Sequence, residues 1–394
     1  MNRTLLTASF LSLVALAPIM ACSSESTTPS VTPNADGGAG DGATPTPADP
    51  GKGGFLITAS GEDLASVGYD WTTSSLADGD PPAFVDGWEV RFQHVIVTLD
   101  NIKLSADPDK DPGSPDNVGA TVAEYKGAVA VDLAIGGKEV GKSGSPDEKA
   151  IAITSFATQA DGKPFDPSKR YAFSYDTVPA SESAKAINLD AVGVELYKEA
   201  KAKGYAMVFQ GEATYKGPAG DGVFAKMPAK VKFNFGFKNA SSYINCQNAD
   251  LQKVGDEFPR GIQPDANKAV TAQITIHTDH GFWNKLNVEG TPMHFDPIAA
   301  NSSTYGTAGS EATVTITDLE SVDITGFKTK SGDVLPARSL VPDYTAPAGQ
   351  LKFDANGTSF SKANSFAAFL SYSAASGGHL NADGECEVKN NFTP

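Results

Sequence analysis

Beyond residue 54 the chain alternates apolar and polar positions with a period of two, the pattern of strands with one buried face. Residues 55–58, 88–104, 121–135, 151–154, 170–175, 205–215, 230–237, 272–277 and 312–316 read this way. Clusters of Gly, Pro, Asp and Ser separate them, notably at 105–119, 141–147 and 217–222. Two stretches follow a helical period instead. Residues 190–203 space Val192, Leu196 and Ala200 by four and stop at Gly204, and residues 360–372 bring Phe366, Phe369 and Leu370 together. The pattern predicts a mainly β chain. Its body, residues 55–394, is expected to be an antiparallel sandwich with a few short helices, built as one unit or as two subdomains divided near 180–205.

The first 54 residues break the pattern. Residues 1–21 place Arg3 before an apolar run from Leu5 to Met20 and end at Ala21, the layout of a secretory signal. The run is shorter than the roughly 20 residues a membrane span needs. Of the 33 residues in 22–54, 21 are Gly, Pro, Ser or Thr, none is aromatic, and Val31 is the only large aliphatic. Such a segment buries too little surface to offset its ordering entropy and predicts a disordered tether. A glycosylated stalk is the alternative.

The 394 residues carry 31 Lys and Arg against 47 Asp and Glu, a net charge of −16. That excludes a nucleic-acid partner, because nothing offsets phosphate repulsion. The signal carries +1 and the tether −3, leaving −14 on residues 55–394. An anionic membrane surface repels such a body, so attachment would need a lipid. The three Cys are too few for a disulfide scaffold or a four-thiolate zinc site. Outside the cytoplasm Cys246 and Cys386 would oxidise to a bridge stapling the tail to the body, with two free buried thiols as the alternative.

The run Ile19-Met20-Ala21-Cys22 resembles the lipobox of bacterial lipoproteins, with Met20 departing from the usual small residue. The resemblance implies that Cys22 is diacylated and becomes the mature N-terminus, and acyl chains of this number hold a protein stably on a membrane. Ser23, where Asp would favour inner-membrane retention, implies an outer-membrane location in the cell envelope.

The chain has five His, and His277, His280 and His294 fall within eighteen residues. This density motivates a metal hypothesis. On a regular strand His277 and Asp279 face one side and His280 the other, so both His ligate one ion only if the strand ends near His277. Gly281 favours such a break. Asp279 serves either as a ligand or as an acceptor that fixes a His tautomer. The plain alternative is a pair of polar His bonding backbone carbonyls.

The stretches Phe209-Gln-Gly-Glu-Ala-Thr-Tyr-Lys-Gly217, Phe233-Asn-Phe-Gly-Phe237, Tyr243-Ile-Asn-Cys246, the segment from Ile274 to Trp283, and Gly378-His379-Leu-Asn-Ala-Asp-Gly-Glu-Cys386 resemble a group of uncharacterised myxobacterial-type lipoproteins. The resemblance covers roughly residues 205–388 at the level of motifs. It implies that the Cys246–Cys386 bridge brings His379 close to His277 and His280, giving a zinc or copper site with Asp279 or Glu385 nearby. The acidic calcium loop of those relatives is absent, since 301–306 lacks the carboxylates a hard cation needs. Asp107, Asp109 and Asp111 alternate, but Pro112 follows, and a solvated loop is expected there.

Nucleophile-elbow, His-Glu-x-x-His and phosphate-loop motifs are lacking in the body. Trp71, Trp88 and Trp283 are expected to fill the core. These readings together predict a membrane-anchored, non-catalytic envelope lipoprotein that binds a divalent transition metal through His277, His280, His379 and Asp279. The alternatives are a metal-dependent hydrolase on the same His, with Asp279 or Glu385 as base, and a surface module for a glycan or an envelope protein.

Overall fold

The computed structural model describes residues 46–71, 84–342 and 344–393. The signal, Cys22 with its lipobox, and most of the tether lie outside the described residues. In chain order the strands are β1 (Phe55–Ser60), β2 (Trp88–Ser105), β3 (Thr121–Tyr125), β4 (Val129–Asp132), β5 (Glu139–Val140), β6 (Lys149–Phe156), β7 (Ala172–Thr177), β8 (Lys185–Ile187) and β9 (Met207–Tyr215). They continue with β10 (Lys230–Phe237), β11 (Ser241–Ile244), β12 (Val270–Ile276), β13 (Glu311–Thr315), β14 (Gly378–Leu380), β15 (Gly384–Glu385) and β16 (Glu387–Asn390). The α-helices are α1 (Leu64–Val67), α2 (Ala191–Lys203), α3 (Asp296–Ala299) and α4 (Phe366–Ser376).

The chain is mainly β. One sheet runs β15-β14-β12-β1-β6-β5 and the other β13-β10-β9-β2-β7-β11-β16, with β3 and β4 also on β2 and β8 on β4. The long alternating run at 88–104 becomes one strand, β2, whose register shifts between Phe92 and His94 and between Asp100 and Lys103. Such irregularities bend a strand, so successive parts of β2 meet different partners.

Most pairings are antiparallel. Three are parallel, a departure from the antiparallel expectation: β1 with β12, β10 with β13 and β4 with β8. These partners are not hairpin neighbours, so no tight turn fixes their direction.

Both sheets feed one hydrophobic cluster, with Phe55, Ile57 and Ile274 from the first and Trp88, Phe209, Phe233 and Tyr243 from the second. The described residues form one compact unit. The end of the expected tether is already held by that unit: Ser155 Oγ donates to Ala48 O at 2.7 Å, and Gly53 N to Asp265 O at 3.0 Å.

Helix α2 lies where its period predicts, with the Asp190 carboxylate accepting from Gly193 N and Gly204 closing it in the left-handed conformation. The second helix starts six residues later than its apolar pattern suggests. Asn364 has φ +54°, which a right-handed helix cannot include, so α4 begins after it at Phe366. The expected strand 121–135 splits into β3 and β4, with Gly127 at φ +128° in the break.

Cys246 and Cys386 form a disulfide, closing a loop across a sequence separation of 140. It ties the segment joining β15 to β16 onto the end of β11, and that segment belongs to both sheets.

Candidate metal centre

Regular pairing of β12 ends at Ile276, and the chain turns into a 3₁₀ helix over Asp279–Phe282. The strand therefore stops just before His277, the condition under which His277 and His280 can face one point. Beside β12, β14 pairs His379 with Thr275, which sets His379 next to the end of the strand. The approach is close: His277 N donates to Gly377 O at 2.8 Å. A Cβ at Gly377 would lie 2.7 Å from His277 O, and one at Gly378 would lie 2.2 Å from the Tyr243 ring. Only glycines allow this packing.

The three imidazoles then cluster. His277 and His379 stack with ring centroids 4.4 Å apart and planes at 23°, and His280 stands edge-on to both at 5.3 and 5.5 Å. Donor atoms of His277, Asp279 and His280 all lie within 4.8 Å of one another, as do those of Glu62, His277 and Asp383. His379 belongs to neither set.

Hydrogen bonds decide which nitrogens are free. Ser376 Oγ donates its only proton to Ser373 O at 2.8 Å, so at 2.9 Å it accepts from Nδ1 of His280. The neutral ring of His280 therefore carries its proton on Nδ1, and Nε2 is a lone pair, buried and without a partner among the described residues. His277 Nε2 lies 3.3 Å from Ala382 O, a carbonyl that can only accept, so Nε2 donates and Nδ1 is left free, 4.0 Å from Asp279 Oδ1. These tautomers favour the set His277 Nδ1, Asp279 and His280 Nε2. The Glu62 set would need the nitrogen that is already occupied. Glu62, 3.8 Å from Nε2, instead supports that ring from behind, as carboxylates behind ligating His do.

Electrostatics agrees with this division. Burial, reinforced by His277 and His379, holds His280 neutral well below the usual range, and burial with His277 lowers His379 to about 3. Burial opposes charge on His277 too, but Glu62, Asp279 and Asp383 outweigh it and raise its pKa. Glu62 is pushed up to about 7, mainly by burial, against the pull of His277, and Asp279 is raised by burial. His280, held neutral, and His277, once it gives up its proton, would form with Asp279 a donor set for a borderline cation such as zinc or copper(II).

Backbone strain gathers at the same ring. Of the ten non-glycine residues with positive φ among those described, eight are Asn or Asp, which tolerate it. The other two, Glu62 at +58° and Ala382 at +65°, both face His277.

A cleft of about 430 Å³ opens beside the centre, with His280, Trp283, Glu289, Tyr372, His379 and Glu385 among its walls. Trp283 stacks on His280 at 4.0 Å, and Nε1 of Trp283 and Nδ1 of His379 are buried without partners among the described residues. Glu385 lies opposite His379 in the β14–β15 register.

The remaining His lie elsewhere. His94 Nδ1 meets Asp132 at 2.6 Å. His294, lowered to about 3 by burial and then by Arg338, lies near a buried pair in which Arg338 grips Asp296 at 2.7 and 2.8 Å. Sequence reading overlooked Glu62, Asp383 and Ser376. Glu62 meets His277 only because β1 pairs in parallel with β12, Ser60 opposite Thr275.

No known protein family, curated protein or solved structure matches the chain.

Proposed function

We propose that this protein is a lipid-anchored lipoprotein of the cell envelope, non-catalytic, whose body captures a divalent transition metal, zinc or copper, through His277, Asp279 and His280. The observation that carries the metal reading is Nε2 of His280: a buried lone pair, its tautomer fixed by Ser376, with no donor to meet it among the described residues. Leaving such an acceptor unmet costs about 1–3 kcal/mol, which a bound cation removes. His379 packs on His277 and serves as a wall of the site. The anchor reading rests on the signal, Cys22 and the acidic body.

Titration of the full chain with Zn²⁺ and Cu²⁺, followed by elemental analysis, tests the metal. One ion per chain is expected, with loss in His280→Ala. Fewer than half an ion per chain under saturating metal rejects the reading. Partition into detergent, lost in Cys22→Ser, tests the anchor.

A further inference from the structure

We infer that the cleft beside the metal centre is a binding site for an amino sugar, its ammonium group held by Glu289, Glu385 and Glu387 and its ring seated against Trp283 and Tyr372. Of the proposed metal ligands only His280 also lines the cleft, and the inference rests on the other groups of its wall, since neither His277 nor Asp279 is among the lining residues.

Charge selects the class of ligand. The lining contains three carboxylates, and no Lys or Arg is among its residues. None of the three is ion-paired among the described residues, unlike Glu195, Glu199, Glu212 and Glu311, which pair with lysines. An anion is therefore repelled, and an ammonium group is attracted both by the carboxylates and by neighbouring aromatic faces.

A bare cation does not account for the rest of the wall. Nε1 of Trp283 can only donate and has no acceptor among the described residues, and Trp283 is 4 % exposed. Nδ1 of His379, also 4 % exposed, is likewise unpartnered. Asn287, Thr358 and Asn390 add neutral polar groups of both kinds. A ligand that combines an ammonium with several hydroxyls meets all of these, because a hydroxyl both donates and accepts. The cleft has the size of small-ligand pockets, which start near 300 Å³.

Calorimetric titration of the full chain with the β-1,4-linked dimer of glucosamine tests this, against its N-acetylated neutral counterpart and against glucuronate. Saturable one-site binding of the charged dimer is expected, at least about tenfold tighter than the acetylated form, with glucuronate not binding. The double variant Glu385→Gln/Glu387→Gln should lose about tenfold or more in affinity for the charged dimer while keeping its metal stoichiometry. Equal binding of charged and acetylated dimers, or unchanged affinity in the double variant, overturns the inference. Sugar binding without metal uptake would reject the metal reading alone, and metal uptake without sugar binding would reject this one alone.

Discussion

Nδ1 of His280 lies 2.9 Å from Oγ of Ser376, and the Ser376 hydroxyl has already given its proton to Ser373 O. One helix end thereby sets the tautomer of a ring that belongs to a different element, and leaves Nε2 as its free lone pair.

Removing that acceptor should weaken the centre without dismantling it. Ser376→Ala is expected to lower zinc affinity about 10–100-fold, the range for loss of a group that orients a ligating His. Competition titration against a chelator reads the affinity, and stoichiometry should stay unchanged. Unchanged affinity would show that the hydroxyl does not orient the ring.

Acid and base should act oppositely on the empty and the loaded protein. Glu62 titrates near 7 in the folded chain, above its unfolded value, so its contribution is full below about 4.5 and is lost as pH rises through about 7. The raised pKa of His277 has the same sign. The metal-free protein should lose stability as pH rises from about 4.5 to about 7 through Glu62, and further above 6.5 through His277. Glu62→Gln should flatten that decline. Metal binding must displace a proton from His277, so zinc affinity should rise over the same interval. Melting temperatures with and without zinc across this range check both slopes.

The bridge between Cys246 and Cys386 closes a long loop, with a sequence separation of 140. Its removal by Cys386→Ser should cost about 3–5 kcal/mol in the chain-entropy account. Because Glu385, next to that cysteine, pairs with His379, the variant should also loosen the cleft wall. Chemical denaturation measures the first effect and hydrogen exchange at 378–390 the second.

Two buried carboxylates near Arg338 should respond differently to amidation. Burial and then Asp296 raise Asp86 well above its ordinary value, which favours its protonated form, and its Oδ2 accepts from Phe295 N and Asp296 N at 2.7 Å. Asp86→Asn keeps an acceptor there and should cost less than about 1 kcal/mol. Asp296 takes two bonds from Arg338 and one from Trp88 Nε1. Asp296→Asn leaves a buried guanidinium without its counter-charge and should cost about 3–5 kcal/mol. Equal losses on denaturation would contradict this assignment of charge.

Local pattern alone determined much of the body. Period-two alternation marks β2, β9, β10 and β12 to within a few residues, because each presents one face to a common core. The Asp190 cap and Gly204 stop do the same for α2. The short strands β14, β15 and β16 carry too few residues to show a period, and they exist through pairing, β14 with β12, β15 with β14 and β16 with β11.

Residue types likewise picked out His277 and His280, and the resemblance added His379 to them. What tertiary structure decided is which nitrogens are free. Strand β1 brings Glu62 behind His277, helix α4 brings Ser376 to His280, and the left-handed turn at Asn381 and Ala382 brings a carbonyl to Nε2. Each partner is remote in sequence from the ring it orients, and a tautomer depends on hydrogen-bond geometry at single atoms. No spacing along the chain encodes that; parallel pairing of β1 with β12 and the close approach of Gly377 do.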